Sequence, residues 1–553
     1  MSETSNIGEL LDQVESLLGR HRALVGETVA AASRTTNGGR EIDEHQVHCE
    51  RVAYAATECE AATTLLAYAR QAYSAGDNAS LAADQAALFT AEVSARLYSQ
   101  VATAFADYGV EAGVFEKTLG CRDALALIGN LSAEERARMI GRRVIESGGV
   151  NNSWLPSDTV MVRDSVRSFA AREVAVLAEG IHRDDSLIPD GLISKMAEMG
   201  YFGMSVPEEF GGLGMGNLAM IVTTEELSCA SLAAAGSLIT RPEILTKALL
   251  KGGTEAQKKK WLAPVSAGEV MVAISVTEPD IGSDVASVAC RAEPAEVDGQ
   301  SGYVINGAKA WCTFAGRANA IALLARTDPD PASGARGLSL FIVEKDSFDG
   351  HEFEMRQPAG GILVGKADAT PGYRGMHSYT LAFENYFVPA ENLVGEQGGM
   401  NKGFYLQMGG FAAGRLQTGG RASGLAQAAL EVTAVYTADR RQFGRPIADF
   451  QLTQYKLGRM SSHLEAARRL TYEAAEVMDR DEGRSLEPAM AKLLASDMAV
   501  WVTQEGQLLH GGWGYAEEYP ISRYVIDALV LPIFEGVKPV LELKVIARQL
   551  LAA

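Results

Sequence analysis

Between Val270 and about Val394 the spacing of apolar residues changes from three and four to two, and after Gly395 it changes back. Long helical blocks on either side of a block of strands predict an α+β chain, with helices and sheet in separate layers. The runs MVAISVTE, YVINGAKAWCT, GLSLFIVEK and HSYTLAFENYFVP are short and rich in β-branched and aromatic residues. Asn306-Gly307 is the dipeptide of a tight hairpin. Residues 270–394 are therefore expected to form a β-barrel or sandwich domain.

The flanking blocks carry helical stripes. Ile7, Leu10, Val14 and Leu17 trace one face near the amino terminus, and Val162, Val166 and Phe169 repeat the spacing. Leu457, Met460, Leu464, Ala467, Ala474 and Met478 trace another, through a helix expected to end near Gly483. The loop PEEFGGLGMGN at 207–217 holds glycines but follows no strand, so it reads as a turn and not as a nucleotide fingerprint. Four domains are expected: a helical extension over 1–154, a helical domain over 155–269, the β domain over 270–394 and a helical bundle over 395–553.

The charge balance of 50 basic against 70 acidic residues, net -20, argues against nucleic acid or an anionic membrane as partner. Six scattered cysteines form no CxxC pair, so the sequence suggests neither a metal site nor a disulfide framework, and a reduced cytoplasm fits. The start MSETSNIGEL lacks a basic region followed by an apolar one, and no apolar run is long enough to span a bilayer.

The two ends of the chain resemble each other. A gapless shift of 405 positions sets Gln46 on Gln451, Glu60-Ala61-Ala62 on Glu465-Ala466-Ala467, Leu65 on Leu470, Ser80-Leu81 on Ser485-Leu486 and Leu88 on Leu493. After a one-residue slip, DALAL at 123–127 falls on DALVL at 527–531, and Leu131 falls on Glu535. The extension reads as a degenerate copy of the carboxy-terminal bundle that has lost a carboxylate.

That carboxylate stands in LVLPIFEGVKPV, a nearly apolar run. Glu-Gly-Val-Lys-Pro can mark the turn before a last helix, with Pro539 near its first position. A carboxylate kept from water by Leu, Ile and Phe can also serve as a base near neutral pH. In VTEPDIGSD, Val276, Thr277, Gly282 and Ser283 make a small polar loop that suits a ligand approached closely by backbone. In KAWCT, Trp311 and Thr313 are two apart and are expected on one face of a strand, where an aromatic plane and a hydroxyl could meet a flat ring.

The order VTEPDIGSD, NGAKAWCT, FENYFVP, RRQFGRPIADFQ, HGGWGY and IFEG resembles that of the acyl-CoA dehydrogenase family over about residues 155–553. The resemblance implies FAD as cofactor. It places Val276, Thr277, Gly282, Ser283, Trp311 and Thr313 around the flavin ring. Arg440, Phe443, Gln451, Gly511 and Gly512 would hold the diphosphate and adenosine of a neighbouring subunit's cofactor. It further implies that Glu535 takes the α-proton of an acyl-CoA while flavin N5 takes the β-hydride, with Ser283, Arg415 and Gly536 near substrate and electron-transfer flavoprotein as electron acceptor. Phe534, Val537 and Leu508 depart from the family pattern, with Gln507 one position off. Gly414, where some members carry the base, cannot serve.

Arg241, in the apolar stretch AAAGSLITRPEILTKALL, is the candidate partner of a substrate carboxylate; an ion pair with Glu243 is the competing reading. The segment GKADATPGYRGMHS at 365–378 is longer and more polar than is usual before FENYFVP. Taken with the long extension and IFEGVKPV, the overall pattern resembles family members that act on a short, branched dicarboxylic acyl-CoA, and the resemblance implies methylsuccinyl-CoA oxidised to mesaconyl-CoA. A short or branched monocarboxylic acyl-CoA, or glutaryl-CoA, is the alternative, and an oxidase or a non-catalytic flavoprotein is a further one. The extension is expected to cover the face through which family tetramers pair, leaving a dimer.

Overall fold

The computed structural model describes residues 3–76, 79–481 and 483–552. It contains two compact units, Met1–Val160 with Thr418–Val477 and Arg484–Ala553, and Met161–Gln417 with Met478–Gly483.

The first unit is helical apart from one short hairpin. Its amino-terminal part comprises Glu3–Thr35, Gln46–Ala75, Ala79–Thr103, Arg122–Leu131 and Glu134–Glu146. Its carboxy-terminal part comprises most of Gly403–Asp439 and Gln451–Arg480, then Leu486–His510, Ile521–Ala528 and a last helical run from Lys538 to Ala552. The stripes reach the core in part: on the first helix Val14 and Leu17 are fully buried together with Leu11 and Leu24, whereas Ile7 and Leu10 are half-buried, and Leu457, Met460 and Ala467 are fully buried on the fourth-last long helix.

Extension and bundle are joined inside this unit by close packing and by charge. A Cβ added at Gly141 would lie 1.8 Å from the Gln454 carbonyl oxygen, and one added at Gly458 would lie 1.8 Å from that of Ala137. The two helices therefore cross backbone to backbone, which only glycine permits. Glu92 of the extension accepts from Arg459 Nε at 2.7 Å and pairs with His463 Nε2 at 2.8 Å. Burial works to raise the Glu92 carboxyl, but His463 and Arg459 outweigh it and hold its pKa down at about 2.

The second unit packs helices on one sheet. Strands β1 (Val272–Ser275), β2 (Arg291–Val297), β3 (Gln300–Thr313), β4 (Ala320–Arg326), β5 (Leu338–Glu344), β6 (Glu352–Arg356), β7 (Ile362–Ala367) and β8 (Ser378–Pro389) form a connected sheet in the order β1-β4-β2-β3-β8-β7-β6, with β5 paired to β4. Helices Thr240–Gly252 and Glu255–Ser266 lay Leu245, Leu249, Trp261, Leu262 and Val265 on Val272, Ala320, Ala322, Leu340 and Ile342. Thr254 and Gln257 close a capping box at the start of the second of these helices.

One sequence expectation changes. Asn306-Gly307 is not a hairpin turn: both residues lie inside β3, at a register shift against β8. Gly307 is needed there because a Cβ would meet Cys290 Cα at 2.8 Å. The tight turn is Asp298-Gly299, with φ of 52° and 78°, between β2 and β3. Among the described residues no helix is long and apolar enough to cross a membrane.

Candidate functional site

On the second unit, the loop after β1 is fastened to β3 from beneath. Lys309, fully buried, donates to the Val276 carbonyl at 2.8 Å and to the Glu278 carboxylate at 3.0 Å. Glu278 also accepts the backbone N–H groups of Ala289 and Cys290, so a buried charge pair is hydrogen-bonded on both sides. Ala310 N–H donates to the Thr277 carbonyl at 2.8 Å, which fastens the loop at Thr277 to β3 next to Trp311. Gly282 and Ser283 are exposed, whereas Val276 anchors the loop in a small core with Val288, Leu324 and Leu338. Sequence reasoning missed Lys309 and Glu278. A lysine inside the apolar strand NGAKAWCT was the available signal.

Trp311 and Thr313 do not share the environment that strand alternation predicts. The pairing of β3 with β8 shifts between Lys309 and Cys312, and Trp311 sits at φ 58° within the shift. Its indole is thereby turned out, 60% exposed, while Thr313 is buried and its hydroxyl shares a 3.0 Å hydrogen bond with Ser378. Arg241 is buried on the helix Thr240–Gly252, near enough to the thiol of Cys312 on β3 to act on it electrostatically. The Glu243 carboxylate accepts from the Ser205 hydroxyl at 2.5 Å. Arg415 is half-buried near the end of this unit's part of Gly403–Asp439.

On the first unit, Glu535 occupies a turn of high strain. Its φ is 56°, a left-handed value that a residue with a long side chain rarely takes, and Gly536 follows at 99°. Lys492, fully buried, donates to the Gly536 carbonyl at 2.7 Å, Ser496 to the Leu531 carbonyl at 3.2 Å, and Lys538 N–H to the Pro532 carbonyl at 3.0 Å. Lys538 is in turn held by Asp497 at 2.6 Å, and Asp497 accepts from the Tyr54 hydroxyl of the extension at 2.9 Å. Arg421 stacks on the Phe534 ring at 4.6 Å. The turn reading holds as well, since Pro539 sits in the first turn of the helix that follows. The apolar wall foreseen around Glu535 is not closed. Glu535 is half-buried, and Leu529 and Ile533 are 48% and 61% exposed.

A second feature of this unit gathers three of the expected dinucleotide residues, Arg440, Gly511 and Gly512, at one cleft, with Phe443 on a hairpin next to its Gln442 wall. Arg441–Gln442 and Arg445–Pro446 pair as a hairpin whose tip is Phe443-Gly444, at φ 52° and 82°. Phe443 is 93% exposed and the guanidinium of Arg445 lies 4.1 Å over the Phe450 ring. Arg440, Gly511 and Gly512 line a cleft of about 600 Å3 together with Tyr436, His510 and Trp513. Gln451 is exposed at the start of the next helix and stands outside that lining. Gly511 adopts φ 63° and ψ -139°, open only to glycine, and nothing lies within 4 Å of a Cβ added at Gly512. Gln507 does not replace the missing glutamine at Leu508: its amide donates to the Gly514 carbonyl at 3.0 Å, and Leu508 is exposed.

These residues fall within three matches to known domains. Residues 156–269 match the acyl-CoA dehydrogenase N-terminal domain, 273–386 the middle domain, and both 401–551 and 14–127 the C-terminal domain. The chain belongs to the acyl-CoA dehydrogenase family. It is 37% identical to (2S)-methylsuccinyl-CoA dehydrogenase of Cereibacter sphaeroides over 98% of this chain and 97% of that one. Among solved structures, the glutaryl-coenzyme A dehydrogenase complex with glutaryl-CoA matches with a TM-score of 0.65 and 30% identity, over 73% of this chain and 98% of the other. A chain of the electron transferring flavoprotein structure from Acidaminococcus fermentans matches with a TM-score of 0.64 and 32% identity, over 71% and 98%. An acyl-CoA dehydrogenase is an FAD-dependent oxidoreductase, and this chain is one. The side-chain-free cradle at Gly511-Gly512 beside Arg440 fits a diphosphate, and the exposed Trp311 beside the Thr277 loop fits a flat ring.

Proposed function

We propose that the chain oxidises a short, branched dicarboxylic acyl-CoA, (2S)-methylsuccinyl-CoA, to mesaconyl-CoA. The observation that carries this reading is the strained turn at Glu535, a carboxylate set at φ 56° on a loop fastened by Lys492 and Lys538. A C–H next to a thioester is a weak acid, so its removal needs a positioned base and a polarised carbonyl. Glu535 takes the α-proton, and its backbone N–H donates to the thioester oxygen, where negative charge develops. Val276, Thr277, Gly282, Ser283, Trp311 and Thr313 would hold the flavin ring of FAD, and Arg440, Phe443, Gln451, Gly511 and Gly512 would hold the diphosphate and adenosine of a neighbouring subunit's FAD; the flavin would supply the acceptor for the β-hydride. Gly536, at φ 99°, lets the chain reverse directly after the base.

Substrate choice rests on Arg241 and on the near full-length similarity to the Cereibacter sphaeroides enzyme. A buried guanidinium pairs best with a bidentate carboxylate, and the distal carboxylate of the substrate is that partner; Ser283 and Arg415 contact the coenzyme A side. The extension is a degenerate copy of the bundle, supported by the second C-terminal-domain match over 14–127, and it leaves a homodimer. Electron-transfer flavoprotein is the acceptor, a reading supported by the match to the Acidaminococcus fermentans structure. Six free thiols fit a reducing cytoplasm.

The test is anaerobic reduction of the bound flavin by methylsuccinyl-CoA, butyryl-CoA and glutaryl-CoA, compared in wild type and Arg241→Met. Fast reduction by methylsuccinyl-CoA alone, lost in the variant, supports the assignment. Equal reduction by butyryl-CoA in both proteins overturns the substrate and returns Arg241 to an internal ion pair.

A further inference from the structure

The long segment before β8 ends in His377, and what surrounds it in the second unit lies outside the redox chemistry. His377 is 5% exposed, its Nε2 lies 3.2 Å from Asp185 Oδ1, and its Nδ1 is buried with no hydrogen-bond partner. The imidazole of His351, which precedes β6, lies against it with ring centroids 4.3 Å apart. One donor atom from each of Asp185, His351 and His377 falls within 4.8 Å of the others.

We propose that Asp185, His351 and His377 form a binding site for one divalent transition-metal ion of the zinc class. Two imidazoles and a carboxylate with open positions left for water are a donor set that suits Zn2+, Co2+ or Ni2+ and not Mg2+ or Ca2+, which require mostly oxygen. Donor atoms on one tetrahedral ion stand about 3.3 Å apart, given metal–ligand distances of about 2.0–2.2 Å. The Asp185–His377 separation of 3.2 Å already meets that spacing. His351 is exposed, so its ring can close the remaining distance by a small rotation.

The backbone is set for these side chains. Asp185 and His377 both hold left-handed conformations, φ 53° and 43°. Arg374 is the opposing group, with Nε 3.4 Å from Asp185 Oδ1. It is also held by the carbonyls of Thr370 and His182, so a metal shares the carboxylate with it instead of displacing it. An ion here ties the turn after helix Ala175–Arg183 to the loops that open β6 and β8. His377 adjoins Ser378, the hydrogen-bond partner of Thr313. The inference does not depend on the identity of the acyl substrate.

The experiment is a Zn2+ titration of the metal-stripped, FAD-loaded enzyme against a chromophoric chelator, with Co2+ absorption as a second readout. Wild type, His351→Ala, His377→Gln and, as a control, His45→Ala are compared. The expected result is one ion per chain and a rise in melting temperature with Zn2+. His351→Ala should weaken binding at least about a hundredfold, since even partners of metal ligands are worth about ten- to a hundredfold. Because His351 is exposed, that variant keeps its fold. No stoichiometric binding in wild type, or binding unchanged in His351→Ala, overturns the proposal and leaves His377 as a hydrogen-bonded structural histidine.

Discussion

The extension and the carboxy-terminal bundle set nearly the same helices to different uses. Gln46–Ala75 and Gln451–Arg480 are both 30 residues long and both begin with glutamine; Ala79–Thr103 and Leu486–His510 are both 25. The copies part at the stretch where Leu131 corresponds to Glu535. In the extension the helix Arg122–Leu131 runs through to a fully buried leucine. In the bundle the helix stops at Ala528, and residues 529–536 turn to present Glu535. The matching residues explain this, because Ile128 has Pro532 as its counterpart, and proline removes a helical N–H and clashes with the preceding turn. On the proposed role of Glu535 the broken helix presents the base, and the extension, with leucine in that place, is free to mend it.

The strongest way to break this comparison is to restore the helix. Pro532→Ile should lower the rate of flavin reduction by about a hundredfold or more through misplacement of Glu535, with FAD still bound, as stopped-flow absorbance would show. Next is the contact between the copies. Gly141→Leu sets a side chain against the Gln454 carbonyl, and a loss of at least about 3 kcal/mol in urea unfolding is expected, with Gly129→Ala, a helical glycine where a Cβ meets nothing within 4 Å, as the control that should lose no stability.

Acid should part the copies at Glu92. Its folded pKa of about 2 lies below the ordinary 4.5, so the stability it contributes is complete above about pH 4.5 and is lost as pH falls toward 2. Melting temperature against pH should fall through that window, and Glu92→Gln should flatten the fall. The smallest effect expected is from Tyr54→Phe, which deletes the hydrogen bond to Asp497 behind the Glu535 turn. A change of about 1 kcal/mol in stability, with a small loss of flavin-reduction rate, would show that the extension supports the turn.

Much of this was legible in the sequence, for local reasons. Helical stripes such as Leu457, Met460 and Leu464 appear because one face must be buried, and IFEG appears because a lone carboxylate in an apolar run is conspicuous. The strand Ala320–Arg326 was not legible: AIALLAR is buried on both faces, and such a run has no period to distinguish strand from helix. The outward Trp311 was missed because a bulge in pairing with β8 overrides alternation, and pairing is set by residues far along the chain. The link from Tyr54 to Asp497 spans 443 positions, and no local pattern announces it. The turn at Glu535 was visible as a turn, but its left-handed backbone is imposed by Lys492, Ser496 and Lys538.

The central claim, that chemistry resides in one copy and only structure in the other, is tested most directly by anaerobic stopped-flow reduction of the flavin in wild type, Glu535→Gln and Leu131→Ala. The account predicts that Glu535→Gln retains FAD but loses at least about a thousandfold in reduction rate. Leu131→Ala should reduce at close to the wild-type rate, with a melting temperature lowered by a core cavity worth about 2–5 kcal/mol. Reduction at the wild-type rate in Glu535→Gln, or its loss in Leu131→Ala, would contradict the account.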